Sequence, residues 1–250
     1  MPELMQQEAS ACSRTGPHSP VRISIIIPVY NEIRYISEVL KRVIEAPLPV
    51  GCEKEIVVID DGSTDGTTAV LRKLRDEKLV RLHESLRNSG KGTALRIGLR
   101  LATGQIILVQ DADLEYDPKE YSRLVQPTLE GKADVVYGSR FRGTPEHMQL
   151  PNLVANKILT WLANILYGVR TTDVYTGYKV FRREVLDRIH LECKRFEFCS
   201  EVTAKVCKAG IAIFEVPITY RGRSAREGKK IRWYDGFEAI YTLLRYRFSG

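Results

Sequence analysis

The sequence predicts an α/β fold in which a mostly parallel central sheet is flanked by helices on both faces. Short β-branched, apolar runs at 23–28, 55–60 and 105–110 alternate with segments whose apolar residues recur at helical spacing. Polar residues directly follow each of these runs. Because ligands bind beyond the carboxyl ends of parallel strands, we expect the polar clusters to meet at one edge of the sheet.

The remaining elements follow from the same patterns. Further strands are predicted at 79–82, 133–137 and 178–181, with one or two more within 211–218. Apolar residues at helical spacing predict helices over 33–44, 70–74, 94–102, 153–166 and 200–209, and Gly104 ends the third of them. After residue 137 the predicted strands and helices no longer alternate regularly.

The composition is that of a globular protein, with 250 residues, 44% hydrophobic and 28% charged. At about 100–200 residues per domain, and with no repeat or linker to divide it, the chain fits a single domain. We expect a disordered tail over 1–20, the domain over 21–228 and a basic amphipathic helix over 229–250. The tail lacks the basic start and apolar run of a signal peptide.

Cysteine content and hydropathy point to a cytoplasmic protein. The five cysteines are odd in number and contain no Cys-x-x-Cys pair, which argues against a disulfide framework or a zinc site. No stretch approaches the ~18 apolar residues of a membrane span.

Positive charge is concentrated at the C-terminus. The net charge is +7, and the last thirty residues hold eight basic and three acidic side chains. Such a segment favours an anionic partner, whether phosphate, nucleic acid or a lipid surface. One helical stripe in this segment consists of Phe237, Ile240, Tyr241, Leu244 and Phe248. It fits a helix lying on a membrane, and it also fits a helix packed on the core.

Two acidic motifs end predicted strands. Asp111 and Asp113 can approach one hard divalent cation, and Glu115 adds a third oxygen donor. A solvated acidic turn is the alternative, but the preceding strand favours a metal site. The segment 60–66 begins with two aspartates and opens a helix, so it fits either a ligand site or a turn that caps the helix.

Other segments suggest phosphate recognition. The segment 88–92 resembles a truncated phosphate loop without the P-loop spacing, and no Gly-x-Gly-x-x-Gly follows the first strand. Arg140 and Arg142 follow another strand, and guanidinium groups match phosphate oxygens, although each arginine alone also fits a surface charge. The sequence supports no Ser-His-Asp triad.

Taken together and in order, these motifs resemble family-2 glycosyltransferases of the GT-A fold. The motifs are Pro28-Val-Tyr-Asn-Glu32, Asp60-Asp-Gly-Ser-Thr-Asp-Gly66, Asn88-Ser-Gly-Lys-Gly92, Asp111-Ala-Asp-Leu114 and Ser139-Arg-Phe141. A narrower resemblance is to dolichol-phosphate mannose synthases and bacterial polyprenyl-phosphate hexosyltransferases. It is carried by Thr176-Gly-Tyr-Lys-Val-Phe181, Glu201-Val-Thr-Ala-Lys205, Glu215-Val-Pro-Ile218 and Gly228-Lys-Lys-Ile231. The resemblance covers about residues 22–245.

The resemblance implies roles for individual residues. The donor nucleotide sugar would be held by Pro28, Tyr30, Glu32, Asp60, Asp61, Asp111, Ala112, Lys194, Arg223 and Lys229. The metal, Mg²⁺ or Mn²⁺, would be bound by Asp111, Asp113 and Glu115, although many mannose synthases have Gln at the last position. Asp113 and Arg140 would be the catalytic residues, with Arg140 near phosphate at the reacting centre.

The implied reaction is transfer of mannose or glucose, with inversion, from a GDP- or UDP-hexose to a polyprenyl or dolichyl phosphate. The partners would then include the cytoplasmic face of a membrane, and no nucleic acid. A phosphate monoester has a second pKa of about 6, so the acceptor needs cations to position it and no general base. The family's acceptor-binding Arg-x-x-x-Ser is not evident between 147 and 160, where Lys157 is the substitute.

Two other functions stay open. A family-2 transferase acting on a saccharide hydroxyl would need a base, for which Glu201 and Asp173 are the candidates. The second is a nucleotide-sugar-binding or membrane scaffold protein without catalysis, which would need no base. The intact acidic and basic motifs argue against it.

Overall fold

The computed structural model describes residues 20–223 and 233–249. Its strands are β1 (Val21–Val29), β2 (Cys52–Asp60), β3 (Arg81–Glu84), β4 (Ile106–Val109), β5 (Val135–Glu146), β6 (Lys179–Arg182) and β7 (Ile213–Arg221). Its α-helices are α1 (Ile36–Glu45), α2 (Thr67–Asp76), α3 (Lys91–Leu101), α4 (Tyr121–Leu129), α5 (Leu150–Tyr167), α6 (Arg183–Arg188), α7 (Phe198–Lys208) and α8 (Trp233–Phe248). A short 3-10 helix, Pro118–Glu120, precedes α4.

The described strands form one seven-stranded sheet in the order β3-β2-β1-β4-β6-β5-β7. Strands β1 to β4 are mutually parallel, β6 runs antiparallel to β4 and β5, and β7 pairs parallel with β5. The mostly parallel sheet predicted from the alternating patterns is therefore confirmed.

Helices cover both faces of the sheet. Ile25 of β1 belongs to a core cluster formed with α1, α2 and α4, whereas the next residue, Ile26, belongs to a second cluster formed with α3, α6 and α7. Both side chains are fully buried. A strand covered on both faces is apolar at successive positions, which is why β1 shows a continuous run and no alternation.

Residues 211–218, where one or two strands were predicted, contribute to a single strand, β7. Two helices of the structure were not predicted. Helix α4 was not predicted because Pro127 lies inside it, and proline removes a helix hydrogen bond. Helix α6 has only six residues, too few for helical periodicity to be recognised.

Helices α5 and α8 form a further layer. They contact each other and α7, and Ala163, Val174 and Leu243 make up a small apolar cluster between them. The Tyr167 hydroxyl donates to the carbonyl of Leu243 at 2.7 Å. Within the described ranges, no helix has the length and apolar character needed to cross a membrane.

Candidate active site

The carboxyl ends of β1, β2 and β4 carry the predicted acidic residues to one edge of the sheet. Main-chain bonds hold these ends together, since the Asp61 N–H donates to the Val29 carbonyl at 2.8 Å and the Gln110 N–H to the Ile26 carbonyl at 3.0 Å. The segments that follow β1 and β4 therefore lie beside one another.

The two aspartates at the end of β2 are buried and hydrogen-bonded. Asp60 accepts the Ser63 N–H at 3.0 Å, and Asp61 accepts the N–H groups of Ser89 and Gly90 at 2.9 and 2.7 Å. Burial raises the pKa of Asp61 despite these N–H donors. Asp61 thus ties the 60–66 turn to the 88–92 segment.

The 60–66 turn also requires a glycine. Gly62 has φ +76°, and a Cβ there would lie 2.6 Å from the main-chain carbon of Arg87. Only glycine adopts this conformation without strain and allows so close an approach. The turn leads into α2, whose N-cap residue is Gly66 and has no side-chain capping hydrogen bond. Asp65, one residue before this N-cap, accepts the Thr67 N–H at 3.0 Å.

Asp111 is paired with a lysine from the 88–92 segment. Lys91 Nζ lies 2.5 Å from Asp111 Oδ1. Burial lowers the pKa of Lys91, but the charges of Asp111 and neighbouring groups outweigh it and raise the pKa overall. A Cβ on Gly177 would lie 2.6 Å from Asp111 Oδ2, so the 176–181 segment packs directly against this carboxylate. Neither Lys91 nor Gly177 was among the site residues predicted from the sequence.

Arg223 contacts acidic residues that follow two different strands, β1 and β4. Its guanidinium donates to Asp113 Oδ2 at 2.7 Å and to Glu32 Oε2 at 3.2 Å, and its main-chain N–H donates to Glu115 Oε1 at 2.8 Å. The guanidinium also lies over the Tyr35 ring, 5.3 Å from its centroid. The structure therefore brings Arg223 together with three of the acidic residues predicted from the sequence.

Asp113 is the most perturbed of these carboxylates. Burial and the charges of Glu115 and Asp111 raise its pKa to about 7, while Arg223 acts in the opposite direction. Crowded carboxylates of this kind fit a divalent cation, which would relieve their repulsion. In the part of the chain that the structure describes, no three His, Cys, Asp or Glu side chains are already arranged to hold a metal ion.

Arg140 is buried and forms a bidentate ion pair with Asp173. Its Nε and Nη2 each donate to an Asp173 oxygen at 2.7 Å, and its main-chain N–H donates to the same carboxylate at 3.0 Å. Arg140 is 5% exposed and Asp173 is not exposed at all. The guanidinium lies over the Tyr220 ring at 5.1 Å, and Lys157 Nζ lies 5.6 Å from the ring centroid of the adjacent Phe141.

The other predicted donor-site residues are placed as follows. Ala112 is buried, Pro28 and Tyr30 are half-buried, and Lys194 is exposed with its carbonyl accepting the Thr93 N–H. Lys229 lies outside the described residues, as do residues 1–19 of the predicted tail and 224–232 around the start of the predicted C-terminal helix. The donor-site assignments stay predictions, as do the domain boundaries.

Glu201, one candidate base, is buried in the protein interior. It accepts the main-chain N–H groups of Glu192 and Cys193 at 2.7 Å and pairs with Lys205 at 2.6 Å. Burial raises its pKa, but these hydrogen bonds, with one from Tyr246, lower the pKa overall. A carboxylate stabilised in its charged form is a weak base, so this geometry does not favour the hydroxyl-acceptor alternative.

The architecture has the GT-A topology that the motifs implied. The chain matches the model of glycosyl transferase family 2 over residues 24–190 and belongs to that family.

Relatives extend this similarity over nearly the whole chain. A polyprenol monophosphomannose synthase of Mycolicibacterium smegmatis is 34% identical over 243 residues, covering 92% of this chain and 88% of the relative. An undecaprenyl-phosphate mannosyltransferase of Micrococcus luteus is 32% identical over 238 residues, covering 90% and 94%.

A solved structure of glucosyl-3-phosphoglycerate synthase from Mycobacterium tuberculosis, in complex with Mn²⁺, UDP and glucosyl-3-phosphoglycerate, is also similar. Its TM-score is 0.68 at 25% identity, with 90% of this chain and 80% of that chain covered.

Proposed function

We propose that this protein transfers a hexose from a nucleotide diphosphate sugar to a polyprenyl phosphate. The observation that carries the proposal is the set of carboxylates Glu32, Asp111, Asp113 and Glu115 gathered beside Arg223 and Lys91 at the carboxyl edge of the sheet. Relatives named for polyprenyl-phosphate acceptors support the acceptor class.

Asp111, Asp113 and Glu115 are the residues that would hold Mg²⁺ or Mn²⁺. Their oxygen donors suit either ion, and Mn²⁺ is bound with UDP in the similar glucosyl-3-phosphoglycerate synthase. Held by these three residues, the ion would supply positive charge to offset the negative charge that develops on a leaving diphosphate. Lys91 and Arg223 add positive charge at the same place, where solvent is largely excluded.

The acceptor would be positioned by cations. Its phosphate is already mostly dianionic at neutral pH and needs no general base. Arg140 is proposed to lie near this phosphate, with Lys157 close by beyond the Phe141 ring. Asp173, the second candidate base, is engaged by Arg140 through two side-chain hydrogen bonds, which again favours a phosphate acceptor over a hydroxyl.

The proposal predicts that the correct donor stabilises the protein in the presence of Mn²⁺. Ligand at 100 times its Kd adds about 2.7 kcal/mol to the free energy of unfolding. At about 2–4 °C per kcal/mol for a chain of this size, the melting temperature should rise by about 5–10 °C. A thermal-shift panel of GDP- and UDP-hexoses measures this, with nucleoside monophosphates as controls. No shift with any nucleotide sugar would contradict the proposed donor class.

We further propose that the protein binds a membrane surface through α5 and α8. The stripe predicted for the C-terminal helix is exposed at Phe237, Tyr241, Leu244 and Phe248, while Ile240 is half-buried. Helix α5, which packs on α8, exposes a second stripe that the sequence analysis did not identify, formed by Leu150, Val154, Ile158, Trp161 and Ile165.

The charge of α5 suits this surface. The helix contains one lysine, Lys157, and no acidic residue, and that lysine lies near Phe141 beside the proposed acceptor site. A polyprenyl tail is costly to remove from a bilayer, so a membrane-facing surface next to the acceptor site would let the enzyme reach its substrate. The cytoplasmic face stays a prediction.

Liposome flotation tests the membrane surface. We expect the protein to float with anionic vesicles at low salt and less at high salt, because salt screens exposed charges. A buried apolar side chain contributes about 1.5–3 kcal/mol, so Ile158→Ser with Trp161→Ser should weaken binding at least tenfold. Phe237→Ser with Leu244→Ser should do the same.

Val50→Ser is the matched control, since Val50 is fully exposed in a turn between α1 and β2. This variant should float like the unchanged protein. Donor-induced stabilisation should survive in all variants. If flotation is unchanged in both double variants, or if they unfold, the two helices do not form a membrane surface.

A further inference from the structure

The guanidinium of Arg223 lies among carboxylates that include two of the proposed metal ligands. The side chain is 11% exposed and contacts Asp113 and Glu32 through hydrogen bonds, while its Nε lies 3.8 Å from Glu115 Oε1. One guanidinium thus faces three carboxylates. Lys91 pairs with the fourth carboxylate, Asp111. Among the described residues, four carboxylates therefore meet two cationic side chains here.

The carboxylates beside Arg223 already accept hydrogen bonds from the protein. Asp113 accepts the Glu115 N–H on one oxygen and Arg223 on the other. Glu115 accepts the Arg223 main-chain N–H on Oε1 and the Tyr220 hydroxyl on Oε2. A divalent cation at Asp113 Oδ2 would have to share that oxygen with the Arg223 guanidinium, whose positive charge opposes the cation.

Arg223 is itself incompletely satisfied in this position. Its Nε–H is buried and, within the described ranges, donates no hydrogen bond. A buried donor without a partner is unfavourable, because it has lost its hydrogen bonds to water. An arginine that leaves Asp113 would regain partners at a diphosphate, whose oxygens match the guanidinium fork.

Resting on the proposed function, we infer that Arg223 is a displaceable counter-cation that couples metal binding to nucleotide binding. Metal alone must compete with Arg223 for Asp113 and removes the hydrogen bond between the guanidinium and that carboxylate. A diphosphate alone meets the four carboxylates with no metal ion to offset their charge. Bound together, the two ligands satisfy the carboxylates and Arg223 at once, so each strengthens the affinity for the other by the same factor.

The experiment measures Mn²⁺ affinity by the electron paramagnetic resonance signal of free Mn²⁺, with and without GDP or UDP. In the unchanged protein, nucleotide should increase Mn²⁺ affinity about tenfold or more. Arg223→Met removes the competing charge, so this variant should bind Mn²⁺ alone at least about tenfold more tightly than the unchanged protein does. Added nucleotide should raise the Mn²⁺ affinity of this variant only slightly further. Arg223→Lys retains the charge and should retain weak binding of Mn²⁺ alone.

Arg221→Met is the matched control, because Arg221 is exposed two residues earlier and this change should leave both affinities unaltered. Circular dichroism confirms folding, and Arg223→Gln replaces the methionine variant if that variant does not fold. Equal or weaker Mn²⁺ binding by Arg223→Met would overturn the inference while leaving the proposed function intact. If the unchanged protein binds no Mn²⁺ even with either nucleotide, the proposed metal-dependent donor site fails, and the inference fails with it.

Discussion

Changing Asp113 to Asn should lower turnover by about a thousandfold or more while the protein stays folded. Asn has the same shape and can still accept the Glu115 N–H that Asp113 accepts at 3.1 Å. It lacks the negative charge that a hard divalent cation requires from its ligands. Losing part of the charge stabilisation at a leaving diphosphate removes several kcal/mol from the barrier reduction. Initial rates with a labelled nucleotide sugar and a polyprenyl phosphate, measured across Mn²⁺ concentrations, give the effect.

Stability should change little in this variant, because removing the Asp113 charge relieves repulsion from Asp111 and Glu115 while it weakens the contact with Arg223. Asp76→Asn serves as the control, since Asp76 has a 67% exposed side chain at the end of α2 and its change should leave the rate unaltered. Near-normal turnover of Asp113→Asn at saturating Mn²⁺ would remove Asp113 from the metal site.

Much of the fold was predictable because it depends on local patterns. A strand buried on both faces needs consecutive apolar residues, and β1, β2 and β4 show them. The strand ends were predictable for the same reason, since polar residues begin where burial stops. Helix α4 lacked such a signal because Pro127 interrupts it.

The pairing of charges within the site was not predictable. Arg223 and Asp113 are 110 positions apart, and Arg140 and Asp173 are 33 apart. Periodicity indicates which face of an element is buried, but it does not tell which cation meets which carboxylate. One signal was available for Lys91, because it stands between two glycines in a segment that opens a helix.

The exposed apolar stripe on α5 was unpredictable for a different reason. Its apolar residues predicted a helix correctly, yet an apolar helix is equally consistent with full burial in the core. Only the packing of α5 on α8 shows that Ile158 and Trp161 remain exposed.

Removing one partner of the buried ion pair between Arg140 and Asp173 should strongly destabilise the protein, and Asp173→Ala tests this. Breaking a buried pair leaves an uncompensated charge and costs about 3–5 kcal/mol. Arg140 would lose all three of its hydrogen bonds to the carboxylate. At about 2–4 °C per kcal/mol, the melting temperature should fall by about 6–20 °C. Urea unfolding and thermal melts measure both quantities, and a loss below about 1 kcal/mol would contradict an uncompensated buried charge in this variant.

A double variant separates this structural role from the catalytic role proposed for Arg140. Arg140→Met with Asp173→Asn removes both charges and retains an acceptor for the Arg140 main-chain N–H. Replacing a buried ion pair by residues of similar volume is often neutral, so the double variant should recover most of the stability lost in Asp173→Ala. If Arg140 also positions the acceptor phosphate, turnover should remain at least about a hundredfold reduced, because a charge-assisted contact made in a site that excludes water is lost. A stable double variant with full turnover would show instead that Arg140 acts only within the ion pair.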